Sequence, residues 1–209
     1  ALTDAAAAGA RAAVVVTTGF GESADADGRV LQRQLSDWIA ASSMAVCGPS
    51  CLGVINVHGR VQAFGGHPGT EILPGPVALV SQSGANVHTY VGAALARNFG
   101  YSYIVSSGNE AGLDSCDYID AFIDDDRTRV ICAYVESFRR PERLPEIAER
   151  AREAGKPIVM LKIGRSVSSA RAALAHTGSM TGPDDYYEAL FAQFGIVRTH
   201  SIEEALDRV

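Results

Sequence analysis

The sequence has no surplus of positive charge. Lys and Arg together number 18 against 24 Asp and Glu, which gives a net charge of -6 and an isoelectric point near 5.3. Beyond Arg139, Arg140 and Arg143 it holds no basic cluster. Nucleic acids and anionic membranes bind proteins through basic patches, so neither is expected as a partner of this chain.

Long apolar runs and paired cysteines are also missing. No run approaches the roughly 18 residues that span a bilayer, and the Ala-rich start lacks the basic segment of a signal peptide. No cysteine belongs to a CxxC pair, so no metal site is expected; the four are Cys47, Cys51, Cys116 and Cys132. Two of them lie in apolar, strand-like runs, where reduced thiols are common, so we expect a cytoplasmic protein.

Apolar periodicity divides the chain into two parts. In the first part, "DAAAAGARAAVVVTTGFGES" predicts a helix followed by a buried strand, and "VLQRQLSDWIAASS" predicts a helix. The next segment, "MAVCGPSCLGVIN", predicts a strand with a turn, and "GRVQAFGG" predicts a short strand. The segment 67–76, "HPGTEILPGP", concentrates Pro and Gly and predicts a linker. We therefore expect two domains, residues 1–70 and 76–209. The first is expected to be partial, because the chain begins at Ala1 within a helix–strand unit.

The second part alternates apolar strands with helices. The strands are predicted at "PVALVS", "YSYIVSS", "RVICAYVES" and "KPIVMLKIG", and the helices at "NVHTYVGAALARNFG", "SCDYIDAFIDD" and "RLPEIAERAREAG". This alternation predicts an α/β fold whose parallel sheet is covered on both faces.

Polar residues follow each of these strands at the point where it ends. They are Ser81 to Gly84, Ser106 to Glu110, Glu136, and Gly164 to Ser166. Parallel sheets bind ligands outside the carboxyl ends of their strands. We therefore expect one edge of the sheet to gather these residues, with Ser83 and Glu136 on adjacent strands.

The stretch from Ser81 to Gly84 has two interpretations. Small residues before a helix allow backbone N–H groups to approach an anion, but a serine in this place also caps a helix. No Walker lysine follows, and neither Ser81 nor Ser83 lies in the Gly-x-Ser-x-Gly pattern of a nucleophile elbow. Phosphate binding and helix capping both remain open on these residues alone.

Glu136 and His176 are the candidates for chemistry. A carboxylate at the end of an apolar strand is costly without a partner, and a histidine is a natural one; a salt bridge to Arg139 or Arg140 is the alternative. His176 lies in "ARAALAHTGSMTG", where small residues and glycines surround an imidazole suited to carry a proton, a metal or a phosphoryl group. The other four histidines are expected to be surface or cap residues.

Five motifs in order resemble one family. "PVALVSQSGA", "SSGNEAGL", "AYVESF", "GKPIVMLKIGRS" and "AALAHTGSMTG" resemble the succinyl-CoA-ligase-like flavodoxin domain of NDP-forming acyl-CoA synthetases, and they cover nearly all of 76–198. "AVVVTTGFGE" and "CGPSCLGVIN" resemble the closing part of that family's Rossmann-like CoA-binding domain. The chain departs from the family at Ser50, where Asn is usual, and at Ala175, where Ser is usual.

The resemblance implies roles for particular residues. His176 is then the histidine that is transiently phosphorylated, and Glu136 holds its other ring nitrogen. Phosphate binding falls to Ser81, Ser83, Gly84 and Gly178. Gly19 and Cys51 then belong to the CoA-binding site. For Cys51, the interpretation as a small buried side chain of the core has equal weight.

The resemblance also implies cofactors and partners. The activity is the interconversion of acyl-CoA, ADP and phosphate with a carboxylate, CoA and ATP through an acyl phosphate. The expected cofactors are CoA, ATP or ADP, and Mg²⁺. The nucleotide and the metal are expected to bind an ATP-grasp domain or subunit outside this sequence. The enzyme is expected to be an oligomer. This piece alone is expected to be inactive. The alternative is a regulatory module, like those fused to protein acyltransferases, that binds CoA or acyl phosphate without turnover.

Overall fold

The computed structural model describes residues 1–23, 26–164 and 184–209. The strands within these residues are β1 Ala12–Val14, β2 Ala45–Cys47, β3 Gly53–Asn56, β4 Val61–Phe64, β5 Pro74–Ser81, β6 Tyr101–Ser106, β7 Val130–Val135, β8 Ile158–Lys162 and β9 Val197–Thr199. The helices within this part of the chain are α1 Leu2–Ala7, α2 Ala26–Ala40, α3 Gly84–Ala96, α4 Ser115–Asp124, α5 Leu144–Glu153, α6 Asp184–Phe194 and α7 Ile202–Arg208.

Seven strands form one sheet in the order β4-β3-β6-β5-β7-β8-β9. The pairs β6–β5, β5–β7, β7–β8 and β8–β9 are parallel, whereas β3 is antiparallel to both β4 and β6. The α/β fold with a parallel sheet, predicted from the alternation of strands and helices, is confirmed. Strands β1 and β2 form a separate parallel pair.

Alternate residues of the central strands pack on opposite faces of the sheet. In β5, Ala78 and Val80 join the cluster under α4, α5 and α6, while Val77 and Leu79 join the cluster under α3 and α7. The side chains of a strand alternate between faces, so a strand covered on both sides is apolar throughout. This coverage explains why "VALV" and "VICAYV" read as unbroken apolar runs.

The hairpin of β3 and β4 differs from the sequence-based division of the chain. It falls within residues 1–70, yet β3 pairs with β6 of the large sheet, from Gly53 opposite Ser106 to Asn56 opposite Tyr103. The predicted linker also contains the first residues of β5, which begins at Pro74. The large sheet thus takes strands from both predicted ranges, and the two-domain division stays a prediction.

Strand β1 is less buried than its sequence predicts. Ala12 is exposed, Val14 is half-buried, and Val16 just beyond the strand is 46% exposed. Within the described residues β1 pairs on one edge only, with β2, so its apolar run is not enclosed as those of β5 and β7 are. None of the described helices has the length and apolar character needed to cross a membrane.

Candidate active site

The ends of β5, β6 and β7 bring three polar loops together. Ser81, the last residue of β5, is the register partner of Ser106 on β6 and of Tyr134 on β7. The backbone N–H of Gln82 donates to the Tyr134 carbonyl at 3.1 Å, so the segment after β5 remains paired with β7 beyond the end of β5. The predicted placement of the Ser81–Gly84 stretch and Glu136 on adjacent strands is confirmed.

The Ser81–Gly84 stretch forms the start of α3. Ser83 caps the helix, since its hydroxyl accepts from the backbone N–H of Asn86 at 3.4 Å, and Ser81 donates to the Ser83 carbonyl at 2.8 Å. The capping interpretation of Ser83 is therefore confirmed. The N–H groups of Gly84 and Ala85 lie in the first turn, where no carbonyl of the same helix can accept from them.

Gly84 is needed where the helix meets a neighbouring loop. A Cβ at this position would lie 2.9 Å from Cγ of Leu52, whose own N–H is held by the Ser106 hydroxyl at 3.0 Å. The close contact keeps the start of α3 free of side-chain bulk. A helix start of this kind can accept an anion through its N–H groups and its positive dipole end.

Glu136 is 4% exposed and its main chain is held from both sides. Its N–H donates to the amide oxygen of Gln82 at 2.6 Å, and its carbonyl accepts from Nζ of Lys162 at 2.8 Å. Gln82 also accepts from the Ser137 N–H at 3.1 Å and donates to the Ser137 carbonyl at 2.7 Å. The loop after β7 is thus fixed to the ends of both neighbouring strands.

The arginines considered as alternatives for Glu136 have other contacts. Arg140 donates to Asp114 at 2.7 Å and also binds Asp117, both at the start of α4. Arg139 donates to the carbonyl of Asn109 at 2.5 Å. These contacts direct the two guanidinium groups to the loop after β6 and to α4.

Glu110 is a second buried carboxyl group at this edge of the sheet, and the sequence reasoning assigned it no role. It is 3% exposed, and its Oε1 accepts from the hydroxyls of Ser107 at 2.7 Å and Ser115 at 2.5 Å. Among the described residues, Oε2 has no hydrogen-bond partner. Burial raises the pKa of Glu110 to about 7. Its position in the loop that follows an apolar strand was the available signal.

Glu22 connects the loop after β1 to the large sheet. One carboxylate oxygen accepts from the N–H of Gly19 at 2.8 Å and from the Ser50 hydroxyl, and the other accepts from the side chain of Asn109 at 2.9 Å. Partial burial by itself would raise the pKa of Glu22. The pKa is nevertheless lowered from its ordinary value, because hydrogen bonds such as those from Ser50 and Asn109 stabilise the carboxylate. Gly19 itself is exposed, with a φ of 98°.

Cys51 lies in the core rather than on an open surface. It is 5% exposed, its Sγ is 3.9 Å from Sγ of Cys47, and it donates to the carbonyl of Val15 at 3.4 Å. The contact with Cys47, together with burial, raises the pKa of Cys51. This environment fits a small buried side chain, and its part in binding CoA stays a prediction.

His176 and Gly178 lie outside the described residues. The described chain stops at Gly164, just beyond the end of β8, and resumes at Asp184 in α6. Because β8 is the neighbour of β7, the segment that carries His176 departs from the same edge of the sheet as Glu136. Within the described ranges, no cluster of three or more His, Cys, Asp or Glu side chains could hold a metal ion.

The fold and this arrangement of polar strand ends define a class of protein. Residues 74–209 match the family described as succinyl-CoA ligase like flavodoxin domain. The match covers more than half of the chain, which therefore belongs to this family. The resemblance inferred from the five motifs is confirmed.

Relatives of this chain are longer proteins. It is 37% identical over 199 residues to the alpha subunit of acetate–CoA ligase (ADP-forming) I from Pyrococcus furiosus, a match that covers 95% of this chain and 42% of the relative. It is 36% identical over 202 residues to trans-feruloyl-CoA synthase FCS1 from an unknown prokaryotic organism, covering 95% of this chain and 28% of the relative. The chain thus spans less than half the length of these relatives.

A solved structure agrees with the fold. The dinucleotide-forming acetyl-coenzyme A synthetase 1 of Ca. Korarchaeum cryptofilum, in complex with phosphate and ADP, superposes with a TM-score of 0.86 at 38% identity. The superposition covers 99% of this chain and 44% of that one.

Proposed function

We propose that this chain is part of an NDP-forming acyl-CoA synthetase. The enzyme interconverts acyl-CoA, ADP and phosphate with a carboxylate, CoA and ATP. The observation that carries the proposal is the buried Glu136 beside the Ser81–Gly84 stretch, at the edge from which the His176 segment departs. The names of relatives such as the acetate–CoA ligase subunit support the same reaction class.

The first role falls to the start of α3. In the proposed reaction a phosphate oxygen attacks the thioester carbonyl, so that the C–S bond breaks, CoA leaves and an acyl phosphate forms. The N–H groups of Gly84 and Ala85, with the hydroxyls of Ser81 and Ser83, hold the phosphate during this step. Fixed backbone donors bind the growing negative charge on the phosphoryl oxygens without reorganising.

The second role falls to Glu136 and His176. One imidazole nitrogen attacks phosphorus, the bond to the acyl oxygen breaks, and the carboxylate leaves. Glu136 accepts a hydrogen bond from the other ring nitrogen, which fixes the tautomer and balances the positive charge of the ring. The phosphoryl group then passes to the nucleoside diphosphate, and Gly178 gives the loop the backbone freedom to move between the two sites.

The remaining parts of the enzyme follow from this assignment. Residues 1–70 supply the closing part of a Rossmann-like CoA-binding domain, with Gly19 and Cys51 on the CoA side, and residues 76–209 form the flavodoxin-like domain. The nucleotide and Mg²⁺ bind an ATP-grasp domain or subunit, and we expect an oligomer that works in the cytoplasm. Because relatives act on acids as different as acetate and ferulate, we leave the substrate as a carboxylic acid.

A labelling experiment tests the proposal. The full-length protein, with its ATP-grasp part, is incubated with γ-labelled ATP, and the label should be acid-labile and base-stable, as for phosphohistidine. His176→Asn should abolish the label. His88→Asn should keep it, because His88 is exposed on α3 and its ring contacts the Pro68 carbonyl. Absence of label and of ATP hydrolysis in the wild type would instead favour a regulatory module that binds CoA or acyl phosphate.

A further inference from the structure

The chain contains two lysines, and both are buried. Lys156 lies just before β8 and is 6% exposed, whereas Lys162 ends β8 and is 2% exposed. A buried ammonium group is costly unless hydrogen bonds replace the water it loses. Each lysine must therefore have partners that justify its place, and these partners differ.

Lys156 serves the end of a helix. Its Nζ donates to the carbonyls of Ile123 and Asp125, both at 2.6 Å, and to that of Phe122 at 3.3 Å. These carbonyls lie at the carboxyl end of α4, where the last turn has no intrahelical donors and the dipole favours a cation. Its role is the stability of that helix end, at the side of the sheet opposite the candidate site.

Lys162 serves the candidate site. Its Nζ donates to the carbonyl of Glu136 at 2.8 Å and to that of Ile163 at 2.6 Å, and it lies 4.9 Å from the ring centre of Tyr187. The first of these bonds crosses from β8 to the loop after β7. Burial lowers the pKa of Lys162 to about 8, which is the cost of keeping the group there.

Gln82 reaches the same loop from the other side. Its amide oxygen accepts from the N–H groups of Glu136 at 2.6 Å and Ser137 at 3.1 Å, and the whole side chain is 5% exposed. The peptide units before and after Glu136 are therefore fixed by two buried side chains from the two neighbouring strands. We name Gln82 and Lys162 the Glu136 clamp.

We propose that the Glu136 clamp holds Glu136 in place for the proposed phosphoryl transfer, so that both of its members are positioning residues of that reaction. This inference rests on the proposed function. A carboxylate that orients a nucleophile must be held closely, since a misplacement of about 1 Å can cost on the order of 100-fold in rate.

The test compares Lys162→Met with Lys156→Met in the full-length enzyme. Both changes remove a buried ammonium that binds backbone carbonyls, but only the first acts on Glu136. We expect Lys162→Met to slow single-turnover phosphorylation about 10- to 100-fold, with the KM for acyl-CoA changed less than about 2-fold. Lys156→Met should lower the melting temperature and keep the wild-type rate of phosphorylation.

A double-mutant cycle separates positioning from general stability. If Lys162 acts through Glu136, then adding Lys162→Met to Glu136→Gln should slow phosphorylation by less than about 2-fold beyond Glu136→Gln alone. Gln82→Leu is measured in the same two backgrounds and keeps the test decisive if Lys162→Met does not fold. Fully multiplicative losses, or a wild-type rate in the single variants, would overturn the clamp. If the wild type takes no label, the proposed function fails as well, which distinguishes the two results.

Discussion

Gly108 and Gly155 share the same backbone φ of 65°, but only Gly108 lies against a neighbouring chain segment. A Cβ at Gly108 would come within 2.4 Å of the Pro49 carbonyl oxygen and 2.5 Å of the Ser50 carbonyl oxygen. At Gly155 no described residue beyond its two chain neighbours would place an atom within 4 Å of such a Cβ. The loop after β6 therefore approaches the turn after β2 so closely that only glycine fits.

This pair gives the first prediction. Gly155→Ala should cost only about 1 kcal/mol, because an L-residue in the left-handed region is strained but meets no neighbour. Gly108→Ala should cost about 3 kcal/mol or more, since a backbone segment must also move. Urea denaturation of the two variants, followed by circular dichroism, measures the difference. Equal losses would show that the two loops separate easily.

Glu110 gives a prediction about pH. Its pKa is about 7 when folded and its ordinary value is 4.5, so between these values the folded state keeps a proton that the unfolded state releases. The contribution of this group to stability is complete below pH 4.5 and is lost as pH rises through 7. Between these two pH values, the free energy of unfolding should fall with pH at a slope that approaches about 1.4 kcal/mol per pH unit.

The variant Glu110→Gln removes this titration while keeping a hydrogen-bonding side chain. The free energy of unfolding of this variant should therefore increase relative to that of the wild type as pH rises from 5 to 7. Urea denaturation at several pH values measures the two curves. Parallel curves would contradict a buried, protonated Glu110.

The sequence predicted the sheet well because its signals are local. Apolar runs such as "VALV" define strands, and small residues such as Ser83 define a helix start. The alternation of strands and helices was therefore enough to place Ser83 and Glu136 at the same edge of the sheet. The β3–β4 hairpin was assigned to the first domain because its short strands give no sign of the partner strand. The pairing of β3 with β6 depends on contacts between residues some 50 positions apart.

The polar partners of the site were harder to predict than its central residues. In the sequence, Lys162 is one polar residue at the end of an apolar strand, and Gln82 is the residue between two serines. Their hydrogen bonds to Glu136 join residues that are 54 and 26 positions apart along the chain. Glu22 was missed for the same reason, since Asn109 lies 87 residues away.

Glu136 itself gives a prediction about rate. Glu136→Gln should slow phosphorylation of the full-length enzyme by about 10²- to 10⁴-fold without abolishing it, because the nucleophilic nitrogen of His176 remains. His176→Ala should remove the label entirely and change stability by no more than about 0.5 kcal/mol. Time courses of labelling measure both. A wild-type rate in Glu136→Gln would assign the orientation of the histidine to another group.

Glu22 gives the last prediction, on the CoA side of the proposed enzyme. Its carboxylate joins Gly19, Ser50 and Asn109, so Glu22→Ala releases the loop after β1 from the two loops it contacts. If that loop forms part of the CoA site, the KM for CoA should rise about 10-fold, which corresponds to about 1.4 kcal/mol of lost binding. The kcat should change less than about 3-fold, because the loop does not belong to the phosphate site. Glu71→Ala, which alters an exposed carboxylate within the predicted linker, is the matched control and should keep the KM of the wild type. Steady-state kinetics with CoA as the varied substrate measures both variants, and a KM for Glu22→Ala equal to that of the control would separate this loop from CoA binding.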